Sequence, residues 1–212
     1  MSEIINYKDC TIRISADEYP ENPRKEFDNV GIMVCFHNSY DLGDEESKNY
    51  NEPIDLLYEL AEIDRNEHLE NNDNDLDFAD LYKVIEEKGY IIKPLYLYDH
   101  SGITISTGSF SCPWDSGMVG WIYATPEAIK EEDWTKEQAD KYLEGEVTTF
   151  DDYLTCNVWG FIVEDENGEQ IGSCSGFYGD TKYCIEEAQS SIDSHLKHRF
   201  LREGKQLKFE FA

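Results

Sequence analysis

Between Leu95 and Tyr123 the chain reads LYLYDHSGITISTGSFSCPWDSGMVGWIY, and its chemistry-bearing side chains crowd there. Asp99, His100 and Cys112 supply a carboxylate, an imidazole and a thiol. A thiol attacks as its thiolate, which an imidazole base generates while a carboxylate orients the ring. His100 and Cys112 can meet if residues 102–111 fold back as a hairpin. No local signature of a known thiol enzyme surrounds Cys112. With six cysteines in the chain, a chance pairing of thiol and imidazole is the simpler account, so no catalytic residue is assigned and this trio stands as an alternative. A second use of the segment is a ligand pocket walled by Tyr98, Trp114 and Trp121, with Asp99 and Asp115 as polar anchors. A third is structural. Asp115 and Ser116 can fix a turn before Gly117. Trp114, Trp121, Tyr98 and Tyr123 would then be buried, packing the connector onto the sheet.

Other groupings offer less. Asp73, Asp75 and Asp77 alternate like the opening of a calcium loop, but Phe78 stands where the loop needs Gly and Val84 where it needs Glu. Acidic residues at a helix start, favoured by the helix dipole, explain them better. Gly172, Gly176 and Gly179 precede a helix without the spacing of a phosphate-binding loop, and Asp180 would repel an anion. His195 and His198 lie one helical turn apart with no third ligand in view, and read as part of a basic patch with Lys197, Arg199 and Arg202. Neither a metal nor a cofactor is expected.

The elements that must position these residues follow from periodicity. Cys10–Ala16 alternates as a strand. Val30–Phe36 is an unbroken apolar run, the mark of a central strand. Pro53 opens a helix whose inner face is Ile54, Leu57, Tyr58, Leu60 and Ala61. A second helix is expected over Asp77–Lys88, stopped by Gly89. Tyr90–Tyr98 reads as a strand, Pro126–Glu132 as a short helix, and Thr135 caps another that ends near Leu143. Asn167-Gly168 joins Val158–Glu164 and Glu169–Phe177 in a hairpin. Thr181–Arg199 is a helix, and Lys205–Phe211 is expected as a closing edge strand. No repeat and no compositional break divides the chain. The expectation is one α+β domain over residues 1–212, its mostly antiparallel sheet packed by several helices. Within it lie an acidic helical segment (53–88), the irregular central segment (95–123) and a C-terminal hairpin with its helix (156–199).

Charge narrows the partners. There are 46 acidic against 18 basic residues, for a net charge of −28, and residues 41–87 alone hold 17 acids and 3 bases. Aromatics at 13% mark a chain that folds, since disordered acidic chains are poor in them. So acidic a surface repels phosphate backbones and anionic lipid, which excludes direct binding of nucleic acid and association with membranes, and favours a basic protein surface. A charge of −28 equals that of roughly 14 base pairs of duplex, which opens mimicry of a nucleic acid beside the simpler account of solubility or adaptation to salt. The opening MSEIINYKDC has no basic start and no apolar core, and no C-x-x-C pair occurs, so a cytoplasmic protein with reduced cysteines is expected.

The segments LYDHSG, FSCPWDSG and VGWIY, with the later WGFIVEDENGE and GFYGDTKYCIEEA, resemble a group of small acidic proteins of bacteriophages and conjugative elements. The resemblance covers most of residues 30–190 and implies a genetic setting rather than site residues. Such genes sit among those that blunt bacterial defence, including restriction and CRISPR systems. Resemblance and charge together point to an anti-defence inhibitor. Its acidic face, taken as Asp55, Glu59, Glu62, Glu70, Asp73, Asp75 and Asp77, would occupy a groove built for DNA or RNA, as a nucleic-acid mimic. The ligand-binding or enzymatic use of the central segment is the alternative.

Overall fold

The computed structural model describes residues 2–44, 49–72 and 74–210, with side chains through Leu201. In chain order the elements are β1 (Ser2–Tyr7), β2 (Cys10–Ala16), α1 (Pro23–Glu26), β3 (Ile32–Cys35), α2 (Pro53–Ala61), α3 (Arg65–Asn71), α4 (Phe78–Glu87), β4 (Ile91–Asp99), β5 (Ile103–Ser106), β6 (Ser116–Ala124), α5 (Pro126–Glu131), α6 (Lys136–Leu154), β7 (Val158–Glu164), β8 (Gln170–Tyr178) and α7 (Thr181–Glu210). The class is α+β, with two antiparallel four-stranded sheets in the orders β1-β2-β7-β8 and β3-β6-β4-β5. The chain falls into two compact units. One joins its two ends, up to Glu21 and from Cys156, and the other is Asn22–Thr155.

In the unit of the two ends, α7 covers one face of the sheet. Ile12 and Ile14 of β2, Phe161 and Val163 of β7, and Cys184, Ala188 and Ile192 of α7 form its core. The expected Asn167-Gly168 hairpin is present: Asp165 accepts from the backbone N–H groups of Asn167 and Glu169, and Gly168 takes φ +81°. One element is added here and one expectation corrected. Ser2–Tyr7 is an edge strand that its sequence did not announce. The closing edge strand is absent, because α7 continues through Glu210 over most of Lys205–Phe211; Phe211 lies outside the described residues. Lys205, Gln206, Leu207, Lys208 and Glu210 are good helix formers, Gly204 before them costs only about 1 kcal/mol, and a short alternation does not outweigh continuation of the helix.

In Asn22–Thr155 the sheet is covered on both faces. The apolar run Val30–Phe36, expected as a central strand, is instead β3 at the sheet's edge, with Met33 and Val34 buried on opposite faces. Met33, Leu95, Leu97, Ile122 and Ala124 pack against Ala139, Leu143, Val147 and Phe150 of α6. Val34, Ile92, Trp121 and Tyr123 pack against Leu56, Leu57 and Leu60 of α2 and Leu81 and Ile85 of α4. Gly120 brings β6 so close to β3 that a Cβ there would collide with the Val34 carbonyl. Thr135 and Gln138 cap the start of α6 reciprocally. The helix runs on to Leu154, past the expected stop near Leu143, because its buried stripe continues through Val147 and Phe150.

Candidate functional site

The central segment is built at one end of the second sheet, where β4 ends, β5 turns back and β6 begins. Backbone hydrogen bonds tie it down: Asp99 N–H donates to the Asp115 carbonyl at 2.8 Å, and His100 N–H to the Gly102 carbonyl at 3.0 Å. Ser116 Oγ donates to the Cys112 carbonyl, closing the turn 112–116. The Asp115 carboxylate is its hub. Its Oδ2 accepts from Cys112 Sγ at 3.6 Å and lies 3.3 Å from His100 Nδ1. Asp99 turns elsewhere, its carboxylate accepting from the Tyr40 hydroxyl at 3.0 Å and holding that phenol's pKa up. The order is therefore thiol, carboxylate, imidazole, with the carboxylate between. A thiol nucleophile with an imidazole base needs the imidazole in the middle.

The two tryptophans assigned to one pocket have separate fates. Trp121 is 1% exposed, under α4, with its indole N–H donated to the Tyr82 hydroxyl and Phe36 and Phe78 edge-on at 6.2 and 6.1 Å. Tyr123 is buried beside it, as the structural reading of the segment required. Trp114 overturns that reading for its own position: it is 92% exposed. The turn 112–116 satisfies its polar groups locally, so its tip stands clear of the sheet instead of packing onto it. Tyr98 is half-buried, between Phe110 with ring centres 5.7 Å apart and His100 at 6.0 Å.

The acidic helical segment divides its carboxylates between structure and surface. Arg65 is its hub. Its Nε and Nη2 meet both oxygens of Asp75 at 2.8 Å, and its Nη1 lies 2.6 Å from Asp55 and 2.7 Å from Glu52. Arg65 holds the Asp75 carboxyl below its ordinary range. Partial burial alone would raise Asp55, but Arg65 and the Glu52 N–H bring it down as well. Glu62 ends α2 in a left-handed conformation and pairs with Lys88 at 2.7 Å. Asp77 caps α4 by accepting from Asp80 N–H. Glu59 and Glu70 are exposed. Glu70 belongs to α3, not to the helix carrying Asp55 and Glu59, because Glu62 breaks the run. Asp73 lies outside the described residues. Exposed acids that the sequence reading did not select are Asp64, Glu67, Asp80, Glu86 and Glu87.

A buried ion cluster also went unread. Arg24, its side chain 1% exposed, pairs with Asp44 and Glu146, each at 2.6 Å, and donates to the Gly31 carbonyl. Glu146 accepts in turn from Val30 and Gly31 N–H. Burial opposes the Arg24 charge, and the two carboxylates more than restore it. The signal was there: Glu146 sits within the apolar stripe of α6, where a carboxylate needs a partner. His195 and His198 line a cleft of about 650 Å³ with Asp165, Glu169 and Arg199, and Arg199 reaches Glu166 at 3.5 Å. Among the described residues no group of three or more His, Cys, Asp and Glu is placed to hold a metal ion, and no helix is long and apolar enough to cross a membrane.

Fold and site thus define an α+β protein with an acid-rich helical surface and a hydrogen-bonded aromatic loop. Comparison with family models, curated proteins and solved structures finds no match.

Proposed function

We propose that this protein is an acidic inhibitor of a nucleic-acid-binding host defence complex, of restriction or CRISPR type, acting in the cytoplasm of a cell carrying a phage or conjugative element. The observation that carries the reading is the division of labour in the acidic segment. Arg65 and Lys88 take the carboxylates that order the helices, while Glu59, Glu67, Glu70, Asp80, Glu86 and Glu87 remain on the surface of α2, α3 and α4. An ordered array of anions suits a basic groove and speeds encounter with it, in a way that salt suppresses.

The test is competition. Purified restriction and CRISPR effector complexes are titrated with the protein while their hold on labelled nucleic acid is followed. Displacement at 50 mM salt that weakens steeply by 300 mM is the expected result. The triple reversal Glu59→Lys, Glu70→Lys, Glu86→Lys leaves the Arg65 and Lys88 pairs intact and should weaken displacement at least tenfold. Displacement by the triple variant equal to wild type would end the mimicry reading.

A further inference from the structure

The sheet face that buries Trp121, Ile92 and Tyr123 beneath α2 and α4 runs on beyond those helices. Alternation along β4 puts Tyr96 and Tyr98 on that same face. The register sets Met118 opposite Tyr96, and Ser116 opposite Tyr98. Tyr96 and Tyr98 are half-buried and Met118 is 37% exposed, so this end of the face carries an open aromatic surface. Trp114 stands two residues before β6, on the turn that Asp115, Ser116 and Asp99 lock by the hydrogen bonds given above.

Two features say what this surface takes. First, an indole 92% exposed on a turn whose backbone is already hydrogen-bonded offers a large apolar area to a partner without further ordering of the main chain, which suits an anchor residue at an interface. Second, its charge is one-sided. Asp115 follows Trp114 in the turn, Asp99 follows Tyr98 at the end of β4, and from Pro94 to Ile129 the chain has no Lys or Arg. Aromatic platforms that stack nucleic-acid bases lie in grooves lined by cations for the phosphates. This one lacks them, and its anions favour a cationic rim on the other side.

We infer that Trp114 is the hydrophobic anchor of a protein-binding surface, and that it enters an apolar pocket ringed by Lys and Arg on a basic protein partner. The inference rests on the reading of the chain as a protein-binding inhibitor, but not on mimicry by the acidic helices.

The experiment uses the full chain and the defence complex that it displaces most strongly from nucleic acid. Affinity for that complex is measured by calorimetry for wild type, Trp114→Ala, Trp114→Phe and the triple charge reversal. Trp114→Ala should melt within about a degree of wild type, yet bind about thirtyfold more weakly or worse, as loss of an interface anchor does. Its salt dependence should be unchanged, and Trp114→Phe should keep part of the affinity. Wild-type affinity in Trp114→Ala overturns the inference, and if the triple reversal still weakens binding, inhibition by the acidic helices survives without it. Loss confined to Trp114→Ala upholds the anchor and removes the mimic. Two other results also overturn it: failure of wild type to bind any complex tested, and Trp114-dependent binding to oligosaccharides in its place.

Discussion

Arg24 shows how a single residue can be decisive and still be hard to read. It lies in a turn-rich connector, DEYPENPRKEF, where a basic side chain ordinarily faces water. The structure buries it between Asp44 and Glu146, where it joins α1, the loop at 44 and α6. A buried pair contributes little over an apolar substitute, but removing one partner strands the other's charge. Arg24→Met leaves two carboxylates facing an apolar side chain and should cost about 3–5 kcal/mol in urea unfolding. Arg24→Met with Glu146→Gln should recover part of that loss. If Arg24→Met unfolds with the wild-type midpoint, the cluster is not a structural clamp. Trp114 and Trp121 make the same point about legibility. Both are tryptophans in a segment bracketed by apolar strands, and the sequence gives them one environment. What separates them is a turn closed by Ser116 and Asp115, and hydrogen bonds local to a loop leave no periodic trace.

At the scale of elements the sequence was legible where apolar periodicity and capping chemistry agree. Cys10–Ala16, Val158–Glu164, the helix opened by Pro53 and the helix capped by Asp77 fall where the pattern puts them. It failed where packing overrides propensity, as in α6 beyond Leu143. It failed too where one residue breaks a run: Glu62, in a left-handed turn, divides an apparent long acidic helix into α2 and α3. What then holds α2, α3 and the approach to α4 together is Arg65, the only Lys or Arg between Lys48 and Lys83. Its effect has a pH signature. Asp55 and Asp75 have folded-state pKa values below their ordinary ones, so the stability that they contribute is complete above the ordinary carboxylate range. It is lost as pH falls through that range toward the lowered values. Helicity followed by circular dichroism should therefore weaken on acidification from about pH 5 downward. Arg65→Met should destabilise the segment at pH 7 by on the order of 1 kcal/mol, the scale of partly exposed pairs, and should flatten this acid dependence. An acid profile in Arg65→Met identical to wild type would place the lowered carboxyls elsewhere.

For the whole molecule, the path of the chain matters more than its composition. β2 and β7 are antiparallel neighbours: Ala16 pairs with Trp159, and Asp17 N–H donates to the Val158 carbonyl at 2.8 Å. Between these two strands, where a hairpin would have a short turn, runs all of Asn22–Thr155 with its own sheet and its own cores. No shift in composition marks either crossing, because each is fixed by local contacts within the unit of the two ends. The Tyr178 hydroxyl donates to the Glu21 carbonyl, and the Trp159 indole donates to Asn157 Oδ1 and the Gly179 carbonyl. An insertion between paired strands can be removed without breaking either sheet. Residues 22–155 expressed alone should melt cooperatively and keep the buried, blue-shifted emission of Trp121, with Arg24→Met destabilising the fragment as it does the full chain. Joining Asp17 to Val158 by a two-residue Asn-Gly turn should let the remaining sheet close around α7, since that turn matches the twist of antiparallel neighbours. Trp159, the only tryptophan of that unit, reports its folding by fluorescence. If residues 22–155 are unfolded by circular dichroism while the full chain is native, the two units do not fold independently. If they fold, displacement of nucleic acid from the defence complex by this fragment, which carries both the acidic helices and Trp114, assigns inhibition to the inserted unit.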